Sequence, residues 1–406
     1  MDQPSQRPPV GLSRRRALAV PGAALLAGVI GPSLLAACGG GGGDDAGGGA
    51  VSSSGYTSGP ITGLGSIIVG GVRFEDNAAR VEDDDGNSRN RSELRLGMVV
   101  EVESSSIDDS NGRGVASLVR FGAEMKGPVA SIDSGARTLR VLDQTVEVRD
   151  ETVFDALLVG GFAAIQVGQI LEIHALFDST TGRYLATRIE LEDNANEYRL
   201  RGLISQLDTT AKTFRIGDAV INYASADVRD APSLANGQRV RVRLQTTQVN
   251  GQWVATRIRR GVANLDRVPD ARIRGFVNGF VSPQQFQVNG IAVDASGASR
   301  VEGVVRDGAL VEVRGRVENG TIIASRVKVI DRGGDEIKRF ELHGTVSALD
   351  TTAKTFMLRE VKVSYAAVLE WKDGGPSDLA NGRAVEVKGF WAEDRSAMLA
   401  AVIEFE

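Results

Sequence analysis

Histidine and cysteine, the side chains that most often carry nucleophilic or metal chemistry near neutral pH, number two and one in this 406-residue chain. A single cysteine excludes an intramolecular disulfide and a four-cysteine zinc site. His174 and His343 have no second histidine or cysteine near them in sequence, so a zinc site of the usual kind is not expected. Related segments of the same chain carry mostly long basic side chains at these two places. They are Lys126, Arg201 and Arg274 for His343, and Glu103, Arg243, Arg314 and Lys388 for His174. A satisfied surface role, rather than a ligand or general base, is therefore the reading for both. No Gly-x-Ser-x-Gly elbow marks a serine nucleophile at a strand-to-helix boundary, and no acidic pair recurs in a pattern that suggests a cleft. The chain reads as non-enzymatic, with no catalytic residue, metal or cofactor.

Binding chemistry has more material. Lys126, Arg201, Arg274, Arg243, Arg314 and Lys388 recur at two fixed places and could align into a stripe for an anionic glycan or lipid headgroup. The acidic turns at 82–87 and 107–112 offer oxygens for calcium, but each lacks acids that an EF-hand loop needs, so both read as solvated hairpin turns. Aromatic residues are only 5% and the net charge is -5. That balance disfavours nucleic acid, which asks for stacking aromatics in a basic groove. Phe154, Phe214, Phe286 and Phe356 read as core filling. Trp253, Trp371 and Trp391 are scattered, but Trp371 and Trp391 both fall in the last copy and could form a carbohydrate platform there.

The first part of the chain is an address and a tether rather than a fold. Residues 1–37 hold a basic stretch (Arg7, Arg14, Arg15, Arg16) and an apolar run broken by Pro21 and Pro32. The run ends in Leu35-Ala36-Ala37-Cys38, which resembles the lipobox of bacterial lipoproteins. By that resemblance Cys38 would carry the lipid and attach the protein to the membrane. Ser13 to Leu18 resembles a twin-arginine export motif through Arg14 and Arg15, departing from it at Ala17 and Ala19. Gly39, where inner-membrane retention uses Asp, implies the outer membrane by the same analogy. Residues 38–58 form a Gly/Ser-rich linker whose r.m.s. reach is roughly 25 Å. Cleavage would remove four arginines and one aspartate, leaving the mature chain more acidic.

Internal repeats decide the architecture that positions these groups. The string LDTTAKTF stands twice, at 207–214 and 349–356. A looser unit of roughly 70 residues occurs five times. Each copy opens with a glycine in an alternating strand (Gly63, Gly127, Gly202, Gly275, Gly344). A second glycine leads another strand (Gly97, Gly168, Gly237, Gly308, Gly382), and an alanine opens the last (Ala116, Ala186, Ala255, Ala324, Ala400). The period is two throughout, so these are half-buried strands. Asn250-Gly251 and Asn319-Gly320 signal tight hairpins. Three strands, a variable connection with room for a helical turn at 152–165 and 364–379, and two final strands are the order of an OB-like barrel. The expected fold is all-β: five small OB-like five-stranded barrels at 59–122, 123–197, 198–271, 272–338 and 339–406, behind a signal peptide and linker. Short connections predict a semi-rigid string or arc on the order of 100 Å long.

These motifs, the Gly…Asp…Thr-Phe opening, the Gly-x-x-Val-Glu-Val strand and the closing Ala-Thr-Arg-Ile-Glu strand, resemble the domain-of-unknown-function 5666 family. The resemblance spans roughly residues 60–406 and is weakest in the first copy. It implies tandem envelope domains and carries over no catalytic residue. The functional expectation is a lipid-anchored, non-catalytic envelope protein that acts as a spacer or protein-binding scaffold. The alternatives are a carbohydrate- or polyanion-binding module and an enzyme using an inter-domain carboxylate pair.

Overall fold

The computed structural model describes residues 55–105, 107–108, 110–228, 233–266, 268–330 and 339–406. Arg14, Arg15, Cys38, the leader at 1–37 and the linker up to residue 54 lie outside the described residues. The described residues form strands and three short 3-10 turns; no helix among them is long and apolar enough to cross a membrane.

Alternating sequence produces alternating burial. In Arg239–Leu244 (RVRVRL), Val240, Val242 and Leu244 are fully buried while Arg241 and Arg243 point the other way. In barrel 2 the first strand, Met125–Asp133, pairs antiparallel with Thr138–Val141, which turns into Gln144–Glu147. That third strand runs parallel to the fifth, Arg183–Glu192. The fourth, Ile170–Asp178, pairs with both the fifth and the first. The order 1-2-3-5-4-1 leaves no open edge, which is how a sheet this small avoids exposing unpaired backbone. The same closure recurs in barrel 1, barrel 3, barrel 4 and barrel 5.

The variable connections do hold helical turns, at Gly161–Ala164 and Pro376–Asp378. They also hold a short strand that alternation in so few residues could not announce, such as Glu370–Lys372 beside Met398–Phe405. The verbatim repeat has a local cause. Asp208 Oδ1 accepts the backbone N–H of Thr210 and of Ala211, each at 2.8 Å, and Asp350 does the same for Thr352 and Ala353. Lys212 and Lys354 close these turns at φ 56° and 53°, and Phe214 and Phe356 then enter the cores, each 1% exposed. The second glycines all sit at positive φ, from 67° to 91°, a conformation that other residues adopt only under strain.

The barrels do not form a string. Gly55–Ser58 of barrel 1 pairs parallel with Asp270–Ile273 of barrel 4, and Gly63–Leu64 pairs parallel with Glu341–Leu342 of barrel 5. Barrels 2 and 3 share an antiparallel step, Met125–Lys126 against Arg199–Leu200. One apolar cluster runs through barrels 1 and 5 and another through barrels 2 and 3. Leu176 and Leu185 of barrel 2 meet Phe276 and Leu310 of barrel 4, and fully burying each such side chain is worth about 1.5–3 kcal/mol. The expected arc fails because the outer faces carry apolar and complementary charged groups that bury one another. Residues 50–406 form one compact unit. Its first strand begins at Gly55, inside the stretch read as linker, because Tyr56 packs into the core of barrel 4.

Candidate anion-binding face and cavity

On the outer face of barrel 3, strands one, four and five bring six arginines into two cross-strand rows. Arg201, Arg241 and Arg259 form one row; Arg199, Arg243 and Arg257 form the next. The same row reads Lys126–Glu172–Glu190 in barrel 2 and His343–Glu386–Glu404 in barrel 5. In barrel 4 it reads Arg274–Glu312–Lys328. Barrel 3 alone of these replaces the central glutamate with arginine. Like charges directly opposite one another repel, so this face requires anions.

Barrel 1 supplies two of them from the acidic turn at 82–87. Asp84 lies 3.0 Å from Arg241, 3.3 Å from Arg201 and 3.8 Å from Arg199. Asp85 pairs with Arg243 and lies 3.7 Å from Arg257. Burial alone would raise the Asp84 pKa, but Arg199, Arg201 and Arg241 outweigh it and hold the carboxyl at about 2. Barrel 3 covers part of the turn: Asp84 is 7% exposed, while Asp85, Gly86 and Asn87 remain exposed, as expected of a solvated hairpin turn. Asp83 accepts the N–H groups of Asp85 and Asn87 and shapes the loop. Asp108 likewise accepts from Ser110 and shapes the second acidic turn.

Beside this face is a cavity of about 270 Å³. Arg120, Arg201, Arg239, Arg241, Arg259 and Arg260 line it against three carboxylates, Asp84, Glu101 and Glu124. Glu124 is the most buried of the three; it bonds Arg239 at 2.7 Å and Arg201 at 3.4 Å. Tyr56 also faces the cavity, and burial followed by the charge of Glu101 raises its pKa well above the usual value, so the phenol stays neutral. The Nε atoms of Arg199 and Arg201 are buried without a hydrogen-bond partner. Arg120 also pairs with Glu82 and Arg259 with Asp227, so Arg260 is the lining guanidinium with no carboxylate in ion-pair contact among the described residues; such a group suits a carboxylate, sulfate or phosphate.

Of the basic residues singled out in the sequence, Arg201 and Arg243 belong to this face. Lys126 continues its second row across the barrel 2–barrel 3 step, opposite Arg199, and is tied to Glu172 and Glu192. Arg274 stands opposite Glu312, and Arg314 forms a row with Arg272 and Arg326 on barrel 4. Lys388 binds Glu341 and Glu386 on barrel 5. Sequence reasoning missed Arg199, Arg239, Arg241, Arg257 and Arg259. The available signal was the register: aligning the five copies places an arginine where the others hold Glu101, Glu172, Glu312 and Glu386.

Both histidines point away from their own cores, as the alternation requires; His343 is a satisfied, half-buried outer-face residue, whereas barrel 1 covers His174 completely. His174 is fully buried against barrel 1, where its Nδ1 accepts the Val99 N–H at 3.3 Å. Burial, then Arg188, lowers its pKa to about 3, so it is neutral. His343 sits among Glu341, Glu386 and Glu406 at 3.1, 3.0 and 2.6 Å. Desolvation lowers its pKa, but these carboxylates outweigh that and raise it to about 9, so it is an imidazolium. Glu172–His174–Glu190 and Glu341–His343–Glu386 are each close enough to share a metal ion. However, Lys126 and Arg188 already hold the first set of acids, and the imidazolium itself serves as the cation in the second.

The aromatic residues divide as well. Phe214, Phe286 and Phe356 are core residues, whereas Phe154 is half-buried. Trp253 is buried and donates its Nε1–H to Asp143 at 2.9 Å. Trp371 stacks on Phe405, while Trp391 packs edge-on to Phe340, so the two do not form one platform.

Comparison with curated proteins returns no match. Among solved structures, a cold-shock-domain segment of Drosophila Unr (CSD456) aligns at 17% identity, covering 52% of this chain and 98% of that one, with a TM-score of 0.14. The model of the domain of unknown function 5666 matches residues 126–190, 201–259, 274–328 and 343–404, which are barrels 2 to 5. Those four matches take in more than half of the sequence, and the chain belongs to that family.

Proposed function

We propose that this protein is a non-catalytic binding module that holds an anionic ligand, of the anionic-glycan class, on the arginine face and cavity of barrel 3. The setting we propose is the bacterial cell envelope, with the chain exported and anchored by a lipid on Cys38 in the outer membrane. The observation that carries the reading is the pair of three-arginine rows; in the first of them, Arg201–Arg241–Arg259, barrel 3 exchanges the central glutamate of its sister barrels for arginine. The acidic turn of barrel 1 already rests there as an anionic strand would, and the cavity beside it keeps more arginines than acids. A pure spacer has less support, because the barrels fold back on one another instead of extending.

The test uses the full chain with Cys38→Ser, to keep it unacylated, titrated with dextran sulfate and with neutral dextran. Dextran sulfate should bind, weaken steeply with added salt, and lose affinity about tenfold or more in an Arg257→Glu/Arg260→Glu variant. Neutral dextran should not bind. Equal affinity of the variant, or no binding of either polymer, would return the spacer reading to first place.

A further inference from the structure

A larger cavity, about 950 Å³, lies where barrels 1, 2 and 5 meet. Its walls mix apolar and charged groups; the apolar part comes from Leu94 and Leu96 of barrel 1, Val153 and Leu158 of barrel 2, and Met357 and Trp391 of barrel 5. The loop at its mouth exposes Leu157 and Val159, 66% and 84% accessible, just before Gly160 and Gly161, both at positive φ. Large apolar side chains at a cavity lip are the opposite of what a water-filled gap between domains selects.

The charges around it do not cancel. Arg91 pairs with Asp76, Arg95 with Glu360, and Arg188 with Glu190. Arg395 pairs with Asp150, and Asp155 accepts the Leu157 N–H; that leaves Arg359 and Lys362 as the lining cations with no carboxylate in ion-pair contact among the described residues, and Arg359 uses its Nε–H on the His343 carbonyl. Two donors on the same wall, Trp391 Nε1 and Arg188 Nε, are buried without a partner. Arg188 is 7% exposed, so water does not serve it freely. Buried donors left unmade are costly and call for an acceptor.

From these features we infer that the cavity between barrels 1, 2 and 5 is a binding site for an acidic amphiphile, an apolar chain ending in a carboxylate or phosphate. The chain lies along the Leu94–Leu158–Met357 wall and emerges past Val159. The acidic end is received by Arg359 and Lys362, with Trp391 Nε1 and Arg188 Nε as further donors. A cavity of this size, with an apolar part beside an excess of cationic groups, has the form of a small-molecule site for an amphiphile. The inference is independent of the arginine face on barrel 3.

Calorimetric titration of the full-length Cys38→Ser chain tests it, with dodecanoate, dodecyl phosphate, dodecyltrimethylammonium, dodecanol and inorganic phosphate, each below its micelle or solubility limit. One molecule of dodecanoate or dodecyl phosphate should bind per chain. The ratio of the two affinities tells whether the site prefers a free fatty acid or a phospholipid-like headgroup. The cationic and neutral amphiphiles should bind about tenfold more weakly or worse, and inorganic phosphate not measurably. Arg359→Gln/Lys362→Gln, at exposed positions that circular dichroism can show to be folded, should lose about tenfold, and Trp391→Phe about fivefold. Equal binding of the acidic, cationic and neutral amphiphiles would overturn the inference, as would binding of phosphate alone, affinities unchanged in both variants, or no binding at all.

Discussion

Replacing Asp84 with asparagine keeps the size of the side chain and removes the one charge that lies among Arg199, Arg201 and Arg241. A carboxyl held at about 2 instead of the ordinary 3.8 contributes about 2 kcal/mol at neutral pH. Removing one partner of a buried charge network strands the others, at about 3–5 kcal/mol. The substitution should therefore cost about 2–5 kcal/mol, felt where barrel 1 docks on barrel 3. Urea unfolding of Asp84→Asn and the parent at pH 7 measures it. Because the pKa of Asp84 is depressed on folding, its contribution is complete above about 3.8 and disappears as the pH falls through 2. The gap between parent and variant should close over that window, leaving only the neutral difference. Sulfate should stabilise the variant more than the parent, since the variant leaves the guanidinium groups without their built-in anion. Equal urea midpoints at pH 7, or a gap of the same size at pH 7 and pH 2, would refute the claim that Asp84 acts through its charge.

Two further outcomes follow from the cores and from barrel 5. His343 has its pKa raised to about 9 by Glu341, Glu386 and Glu406, with Arg73 and Lys388 as the other charges in the network. Its stabilisation is therefore complete below 6.5 and lost as the pH rises through 9. His343→Gln should melt lower than the parent at pH 6 and converge with it above pH 9.5, and thermal melts across that range decide the point. Phe214→Ala and Phe356→Ala each empty a fully buried position in equivalent barrels, and each should cost about 3–5 kcal/mol in chemical denaturation. A much smaller cost in one copy would mean that its core collapses around the gap.

The barrel order was legible in the sequence because every device that makes it is local. Period-two alternation fixes which face is buried, Asn250-Gly251 and Asn319-Gly320 set tight turns at φ 51–74°, and the Asp208 and Asp350 carboxylates cap the repeated turn by accepting backbone N–H groups two and three residues on. Contacts between barrels were not legible. Nothing near Asp84 in sequence announces that its partners are Arg199, Arg201 and Arg241, more than a hundred residues away. The burial of His174 was missed for the same reason. Alternation correctly placed His174 on the outer face of its barrel, but only the fold shows that barrel 1 covers that face.

The weak resemblance of the first copy to its sisters has a physical explanation in this packing. A barrel with a wet outer face keeps the alternating pattern that repeat recognition relies on, as Arg239–Leu244 does. The first strand of barrel 1, Gly55–Leu64, is buried at nine of its ten positions, so alternation carries no information there. Its outer groups answer to four different neighbours. Leu96 and Val99 meet Arg188 and His174 of barrel 2, and Asp84 meets the arginines of barrel 3. Gly55 to Ser58 joins barrel 4, and Arg73 pairs with Glu341 and Glu386 of barrel 5. At Gly97 a Cβ would come within 2.4 Å of the Thr187 carbonyl, and at Gly65 one would come within 2.4 Å of His343 Cβ. These glycines therefore also answer to close approach by neighbouring barrels. Barrel 1 holds the other four together, and the residues that do so replace the pattern by which its kinship would have been read.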